Sequence, residues 1–354
     1  MDARQPDEPR ISIGVAEILT YVVESSGAAL KRFLIIRFSS IGDIVLTTPV
    51  IRCLKTQQAD CEIHYVTKKQ FLPLLEANPF IDRLHAFDGN LSSLVAELKP
   101  FRFDAIFDLH GSLRSRLLTL ILRRKSYVFP KLNAKKWLMV KFKIDLLPRI
   151  HIVDRYLSTL KKFNIKNDNK GLDYFIPPAG EVDLQSLPSI FHQGFIVVAT
   201  GGKHNTKQIT TDQMIELCGL LKYPVILLGG SEDAAKAEEV SARSGKDIFN
   251  GCGQYSLNQS ASLLKQARVV IAPDTGIMHI AAALKKPVLS IWGNTIPGFG
   301  MYPYMPDPRS VLFETIGLSC RPCSKLGYPA CPKGHFRCML NHSMSDIAVK
   351  ANLF

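Results

Sequence analysis

The feature that most constrains the fold is an alternation of short β-rich runs with helix-length stretches, interrupted once and then resumed. Phe33–Phe38, Glu62–Thr67, Leu84–Phe87 and Ala105–Leu109 read as strands separated by segments long enough for crossover helices. Such spacing belongs to a parallel sheet with helices on both faces. Ile176-Pro177-Pro178-Ala179-Gly180, extending to Gly194, breaks the pattern, because a Pro-Pro-Ala-Gly run is a poor element interior and a good linker. The alternation resumes with Phe195–Ala199, Val225–Leu228, Ile248–Asn250, Val269–Ala272 and Val288–Trp292. The expected architecture is α/β, with two doubly wound Rossmann-like domains, 32–176 and 195–345, joined by a linker at 177–194. Residues 1–31 read as an N-terminal extension with a modest helical period (Ile11, Val15, Ile18, Leu19, Val22), and 346–354 as a C-terminal tail. Ligands of open α/β sheets bind beyond the carboxyl ends of the strands, so the cleft between the domains is the expected site.

Three loops of the second half meet at that edge. Pro273-Asp274-Thr275-Gly276 joins the apolar run Val269–Ala272 to a helix expected over Ile277–Leu284. Asp274 or Thr275 can cap this helix, and Gly276 admits a ligand close to the backbone. The free N–H groups and positive dipole end suit a diphosphate, with His279 in the first turn as a further donor. A plain capped turn would read the same way in isolation. Ala199–Lys207 follows the first strand of this domain and supplies Lys203 and Lys207, of which Lys207 stands nearer the helix expected from Thr211. Leu228-Gly229-Gly230-Ser231-Glu232-Asp233 ends the second strand and offers carboxylates, Glu232 among them, to ribose hydroxyls or a base. Together the three loops read as a nucleotide site.

In the first half, Phe33–Phe38 runs through Ser39-Ser40-Ile41-Gly42-Asp43 into a helix. Asp43 can be a helix cap, the commoner use of Asp there, or the base that a transfer to a hydroxyl acceptor needs. The loop has a single glycine, Gly42, so no GxGxxG dinucleotide fingerprint is present. The formal charge of the chain is +13, and residues 111–165 hold 14 Lys/Arg against Asp145 and Asp154. A basic surface so concentrated recruits an anionic partner, since solubilising surfaces usually mix the two signs. No apolar run reaches the length of a membrane span, and the polar Met1–Arg10 lacks the pattern of a secretory signal. A cytoplasmic protein is expected.

These motifs resemble glycosyltransferase family 9, the ADP-heptose:lipopolysaccharide heptosyltransferases. The resemblance rests on Arg37-Phe38-Ser39-Ser40-Ile41-Gly42-Asp43, Asp108-Leu109-His110-Gly111-Ser112-Leu113-Arg114-Ser115, His151-Ile152-Val153-Asp154-Arg155-Tyr156 and Pro273-Asp274-Thr275-Gly276-Ile277-Met278-His279. It implies a GT-B fold and metal-independent, inverting transfer of heptose from ADP-heptose to the lipopolysaccharide inner core. By resemblance Asp43 is the catalytic base, and Lys207, Asp274, Thr275, Gly276 and His279 bind the donor, to which the loop reading above adds Glu232. Ser40, His110, Arg114 and Arg155 fall on the acceptor side. The family often carries an aromatic residue and a proline shortly after the lysine, where this chain has Gln208-Ile209-Thr210. The basic 111–165 stretch then faces an anionic glycolipid at the inner face of the membrane, with Trp137 and Phe142 either at that interface or packed in the core.

Cys320, Cys323, Cys331 and Cys338, with His335 and His342 nearby, form the other dense cluster. In a reducing compartment, structural zinc is one reading and free thiols packing a Pro-rich loop the other; no cofactor is expected for catalysis. Cys53, Cys61, Cys218 and Cys252 read as buried small apolar residues. A transferase using another sugar nucleotide, and a basic nucleic-acid-binding module with a zinc cluster, are the alternatives to heptosyl transfer. The second leaves the paired loops unexplained, and no nucleic-acid partner is expected.

Overall fold

The computed structural model describes residues 30–354, so the helical extension expected near the N-terminus lies outside the described residues. The first sheet has five parallel strands, β1 (Lys31–Ile36), β2 (Cys61–Lys68), β3 (Arg83–Phe87), β4 (Ala105–Asp108) and β5 (Ser126–Val128). Their spatial order is β3-β2-β1-β4-β5. The second sheet has six, β6 (Ile196–Ala199), β7 (Val225–Leu228), β8 (Ile248–Asn250), β9 (Val270–Pro273), β10 (Val288–Trp292) and β11 (Val311–Glu314), in the order β11-β10-β9-β6-β7-β8. Helices α1 (Ile41–Val45), α2 (Thr48–Gln57), α3 (Leu91–Leu98), α4 (Leu113–Leu122), α5 (Asn133–Phe142) and α6 (Ile152–Leu157) belong to the first domain. The second carries α7 (Thr211–Leu220), α8 (Ala234–Arg243), α9 (Leu257–Gln266), α10 (Gly276–Ala283), α11 (Arg337–Leu340) and α12 (Met344–Ala351).

Strand order reverses between β1 and β4 in one sheet and between β6 and β9 in the other, and the crevice at such a switch point is where ligands enter. The loops after β1, β4, β6 and β9 all carry sequence motifs, and the Glu232 loop follows the neighbouring β7. The central strands are apolar throughout because both faces are covered: Phe33, Leu34, Ile35 and Ile36 are all fully buried. On one side of the first sheet, Leu34, Ile36 and Ile106 pack with Leu94, Leu98 and Leu118 of α3 and α4. On the other, a single apolar core continues through α1, α2 and α6 into α9 and α10 of the second domain.

Of the four edge strands, β5 and β11 escape the sequence pattern, being short and only partly buried. The expected C-terminal tail at 346–354 is corrected to a packed element. Ile347, Ala348 and Ala351 of α12 join Met214, Leu217 and Cys218 of α7 in the core beneath the second sheet. Spacing i, i+1, i+4 is a helical face, and in a final segment of eleven residues that face is too short to stand out from a loop.

Links between the domains lie on both sides of the linker. Tyr174 donates to Asn258 Oδ1 (2.7 Å), and Asn258 Nδ2 donates to Glu76 Oε1 (3.0 Å). At the other side the Ile152 N–H donates to the Gly300 carbonyl (2.8 Å), and the His151 ring bonds the Tyr302 carbonyl through Nε2. His151 Nδ1 accepts from the Val153 N–H, which fixes the neutral tautomer with its proton on Nε2.

Candidate active site

Asp43 is the third residue of α1, and its Oδ2 accepts from the Ser40 hydroxyl (2.9 Å) and the Ser40 N–H (3.4 Å). To that extent it does behave as a helix-start residue. The same oxygen lies 2.7 Å from Arg37 Nη2. Burial works against the charge, but the Arg37 guanidinium and the Ser40 bonds hold the carboxyl below its ordinary range, so it is ionised at neutral pH. Removing one partner of such a pair leaves an uncompensated charge in the core, a loss of roughly 3–5 kcal/mol where the pair is buried.

The opposite wall is α10. Helices α3, α4, α7, α9 and α12 each begin with a side chain bonded to a free N–H, from Asn90, Ser112, Thr210, Ser256 and Ser343 respectively. Thr275 makes no such bond at the start of α10, and its buried Oγ1 has no partner among the described residues. The amides of this first turn are therefore left for a ligand, with the dipole favouring an anion. Lys207 is held beside them by Asp274, whose Oδ2 is 2.6 Å from Nζ and also accepts from Thr295 Oγ1 (2.8 Å). Asp274 thus fixes the Lys207 ammonium in place.

The walls touch. A Cβ on Gly42 would stand 2.5 Å from His279 Cδ2, and one on Gly276 would stand 2.7 Å from Ile41 Cγ2. Two glycines facing two side chains bring the first turns of α1 and α10 together and set Asp43 beside the His279 ring. His279 is buried, which pushes its pKa down to about 4, and its Nδ1 has no partner among the described residues.

The remaining candidates separate by exposure. Glu232 is exposed at the end of β7, whereas Asp233 is built into the turn, accepting the Gly230 N–H at 3.0 Å. His110 leans on Phe38 (5.1 Å between rings), and burial, then Arg37 and Lys131, push its pKa down to about 4. Arg114 is exposed on α4. A cavity of about 490 Å³ opens next to it, lined by Gly111, Arg116, Phe129, Lys131 and Asn133 among others. Arg155 is placed differently from an open acceptor contact: it is buried and donates to the Pro130 carbonyl (3.3 Å) and the Phe299 carbonyl (3.0 Å), bridging the two domains.

The model of glycosyltransferase family 9 (heptosyltransferase) matches residues 91–327. The chain belongs to this family. It is 26% identical over 288 residues to lipopolysaccharide heptosyltransferase 1 of Campylobacter coli, covering 74% of this chain and 83% of that one. Among solved structures it resembles the E. coli ADP-heptose LPS heptosyltransferase II, with a TM-score of 0.70 at 18% identity over 91% of this chain and 98% of the other. The E. coli heptosyltransferase WaaC with ADP superposes with a TM-score of 0.59 at 21% identity, over 77% and 90% of the two chains. The fold is GT-B, and the protein is a transferase of the heptosyltransferase family.

Two residues of this family 9 site were not singled out by sequence reasoning. Arg37 follows four fully buried strand residues, and a charge placed there must find a partner, which is the signal that marks it. Asn294, after β10, is 1% exposed with both amide atoms unpartnered among the described residues. Nothing in its Gly-Asn-Thr context distinguishes it from an ordinary turn. The cysteine cluster has two readings in the sequence, structural zinc and free thiols packing a Pro-rich loop. Cys320 Sγ and His335 Nε2 approach to 3.7 Å, but among the described residues no three such side chains are placed to hold a metal. Burial, reinforced by neighbouring thiols, pushes Cys338 up to about 11. The loop around these residues instead supports the site: Arg321 donates to the carbonyls of Gly293 (2.7 Å) and Thr295 (2.8 Å).

Folded His279 stays neutral down to about pH 4, while the unfolded chain takes up this proton near pH 6.5. Its stability contribution is therefore complete above pH 6.5 and is lost as pH falls toward 4. In His279→Gln the urea midpoint should fall less steeply across that window than in the parent. Equal slopes would show that the folded protein protonates His279 as readily as the unfolded chain does.

Proposed function

We propose that this enzyme transfers heptose from ADP-heptose to the inner core of a lipopolysaccharide, inverting the anomeric carbon in a single displacement. The observation that carries this reading is the contact between α1 and α10. It sets an ionised carboxylate with a free oxygen edge against an uncapped helix start flanked by Lys207. The names of the similar proteins, lipopolysaccharide heptosyltransferases among them, support the choice of donor sugar and acceptor.

In this reading Asp43 takes the proton of the attacking acceptor hydroxyl. The departing diphosphate gains charge in the transition state, where Lys207 and the amides of residues 275–278 meet it without a catalytic metal. Thr275 Oγ1, His279 Nδ1 and Asn294 supply further polar contacts, and Glu232 faces the ribose. The joined domains exclude water, which limits hydrolysis of the donor. Ser40, His110 and Arg114 lie on the acceptor wall, and Arg155 shapes it indirectly by fixing the loops at 130 and 299.

The acceptor is anchored in a membrane, and the basic segment presents a matching face. Leu113, Leu117, Leu120, Trp137, Phe142 and Leu146 are all exposed there, Trp137 to 50%. That exposure argues against core packing of Trp137. Lys141 lies 5.4 Å from the Trp137 ring and 5.7 Å from the Phe142 ring. Among the described residues no helix is long and apolar enough to cross a membrane. The proposed location is peripheral, on the cytoplasmic face.

Asp43→Asn should lower kcat by ~10²–10⁴-fold while leaving ADP-heptose affinity nearly unchanged; loss of donor binding instead would make Asp43 a structural cap. In a thermal-shift panel of ADP-, UDP- and GDP-sugars, ADP-heptose should stabilise most. Stabilisation by polynucleotide and by no sugar nucleotide would reject glycosyl transfer. Vesicles containing anionic lipid should retain the protein at low salt and release the double variant Trp137→Ala, Phe142→Ala; equal retention of both proteins would remove this face from the membrane contact.

A further inference from the structure

Arg37 stands at the carboxyl end of β1 and is only 8% exposed. Its Nε donates to the Ser39 carbonyl (2.6 Å), and its Nη1 donates to the Leu109 carbonyl (2.7 Å) and the Tyr156 hydroxyl (3.0 Å). These partners come from three places, the loop after β1, the end of β4 and α6. The guanidinium is therefore fixed in orientation before Asp43 is considered. Its remaining nitrogen, Nη2, meets Asp43 at Oδ2 alone.

Every bond found at the Asp43 carboxylate, from Arg37 and from Ser40, ends on Oδ2. No partner occupies Oδ1 among the described residues. A planar fork held at three points and touching one carboxylate oxygen fixes the direction in which the other oxygen points.

We propose that Arg37 is the positioning residue of the transfer reaction, anchoring Asp43 by Oδ2 so that Oδ1 is presented to the acceptor hydroxyl. This inference rests on the reading of Asp43 as the base. Tyr156, in turn, aligns Arg37, which gives the 151–156 motif a role in the site as well as in joining the domains.

The charges around Asp43 single out Arg37. His279 of α10 and His110 after β4 are kept neutral by burial, and burial pushes the phenols of Tyr65 on β2 and Tyr156 on α6 upward. Lys131 and Lys136 act only through space, without a bond to the carboxylate. Arg37 is the cation in direct contact. Arg37 is the largest influence opposing burial, so without it the Ser40 bonds remain but the Asp43 pKa rises.

The test measures kcat/KM against pH with ADP-heptose and an inner-core acceptor for the parent, Arg37→Gln, Arg37→Lys, Tyr156→Phe and Asp43→Asn. ADP affinity is followed by calorimetry. In Arg37→Gln the acid limb should move up by about 1–3 pH units, with ADP affinity within about twofold of the parent. Arg37→Lys should restore the position of the acid limb but keep a reduced kcat, because an ammonium lacks the fork. Tyr156→Phe, which leaves the charge in place, should lower kcat several-fold without moving the limb; it carries the test together with Arg37→Lys if Arg37→Gln does not fold. Arg37→Gln added to Asp43→Asn should cost nothing further. In Arg37→Gln, a loss of activity uniform across pH, or one equally large in the Asp43→Asn background, would overturn the inference, as would a parent-like kcat in both Arg37→Lys and Tyr156→Phe. If Asp43→Asn itself keeps transfer and the acid limb, the reading of the base has failed, whereas an inactive Asp43→Asn beside a parent-like Arg37→Gln sinks the positioning role alone.

Discussion

The close approach of Gly42 to His279, and of Gly276 to Ile41, is the contact on which the rest of the structure depends. Each domain alone carries half a site: a carboxylate at one helix start, and free amides with a lysine at the other. Any side chain at either glycine would collide with the opposite helix and push the halves apart. Catalysis of this kind requires its groups within roughly 3 Å of the reacting atoms. A displacement of an ångström at this contact would therefore matter more than a larger one at the surface. The apolar core that runs unbroken from α1 into α10 holds the contact in place.

Charge is arranged to match. Helix starts are positive, and two of them meet here. Asp43 satisfies the first, and Arg37 keeps it ionised in a buried setting. The second is left without a capping side chain, although among the described residues six other helices are capped by theirs. Lys207, held by Asp274, adds to the same deficit of negative charge. His279 stays neutral between the two carboxylates, so it does not compete with Lys207 for them. The loop bearing the four cysteines stands behind this wall, with Arg321 bonding the carbonyls on either side of Asn294.

The central strands were legible because burial on both faces leaves an uninterrupted apolar run, and the loops at their ends follow from that. Asp43, Thr275 and Lys207 could be proposed because strand-to-helix turns have a fixed chemistry. Partnerships across distant segments could not. That Asp274 clamps Lys207, and that Arg155 bridges the loops at 130 and 299, depends on side-chain positions that no local pattern encodes. The cysteine spacing leaves zinc and free thiols both open, because spacing sets only sequence distance; the four thiols gather, yet among the described residues no three such side chains are placed to hold a metal. The final helix was missed for a simpler reason, since its apolar face spans barely two turns.

The central claim is that the start of α10 and Lys207 form the donor-phosphate half of a site completed by Asp43. A crystal structure of the protein with ADP tests it most directly. The account predicts the terminal phosphate within hydrogen-bond reach of the 275–278 amides, Thr275 Oγ1 and Lys207 Nζ, with Asp43 Oδ1 facing the space beyond it. A diphosphate bound away from α10, with Thr275 still unpartnered, would contradict it.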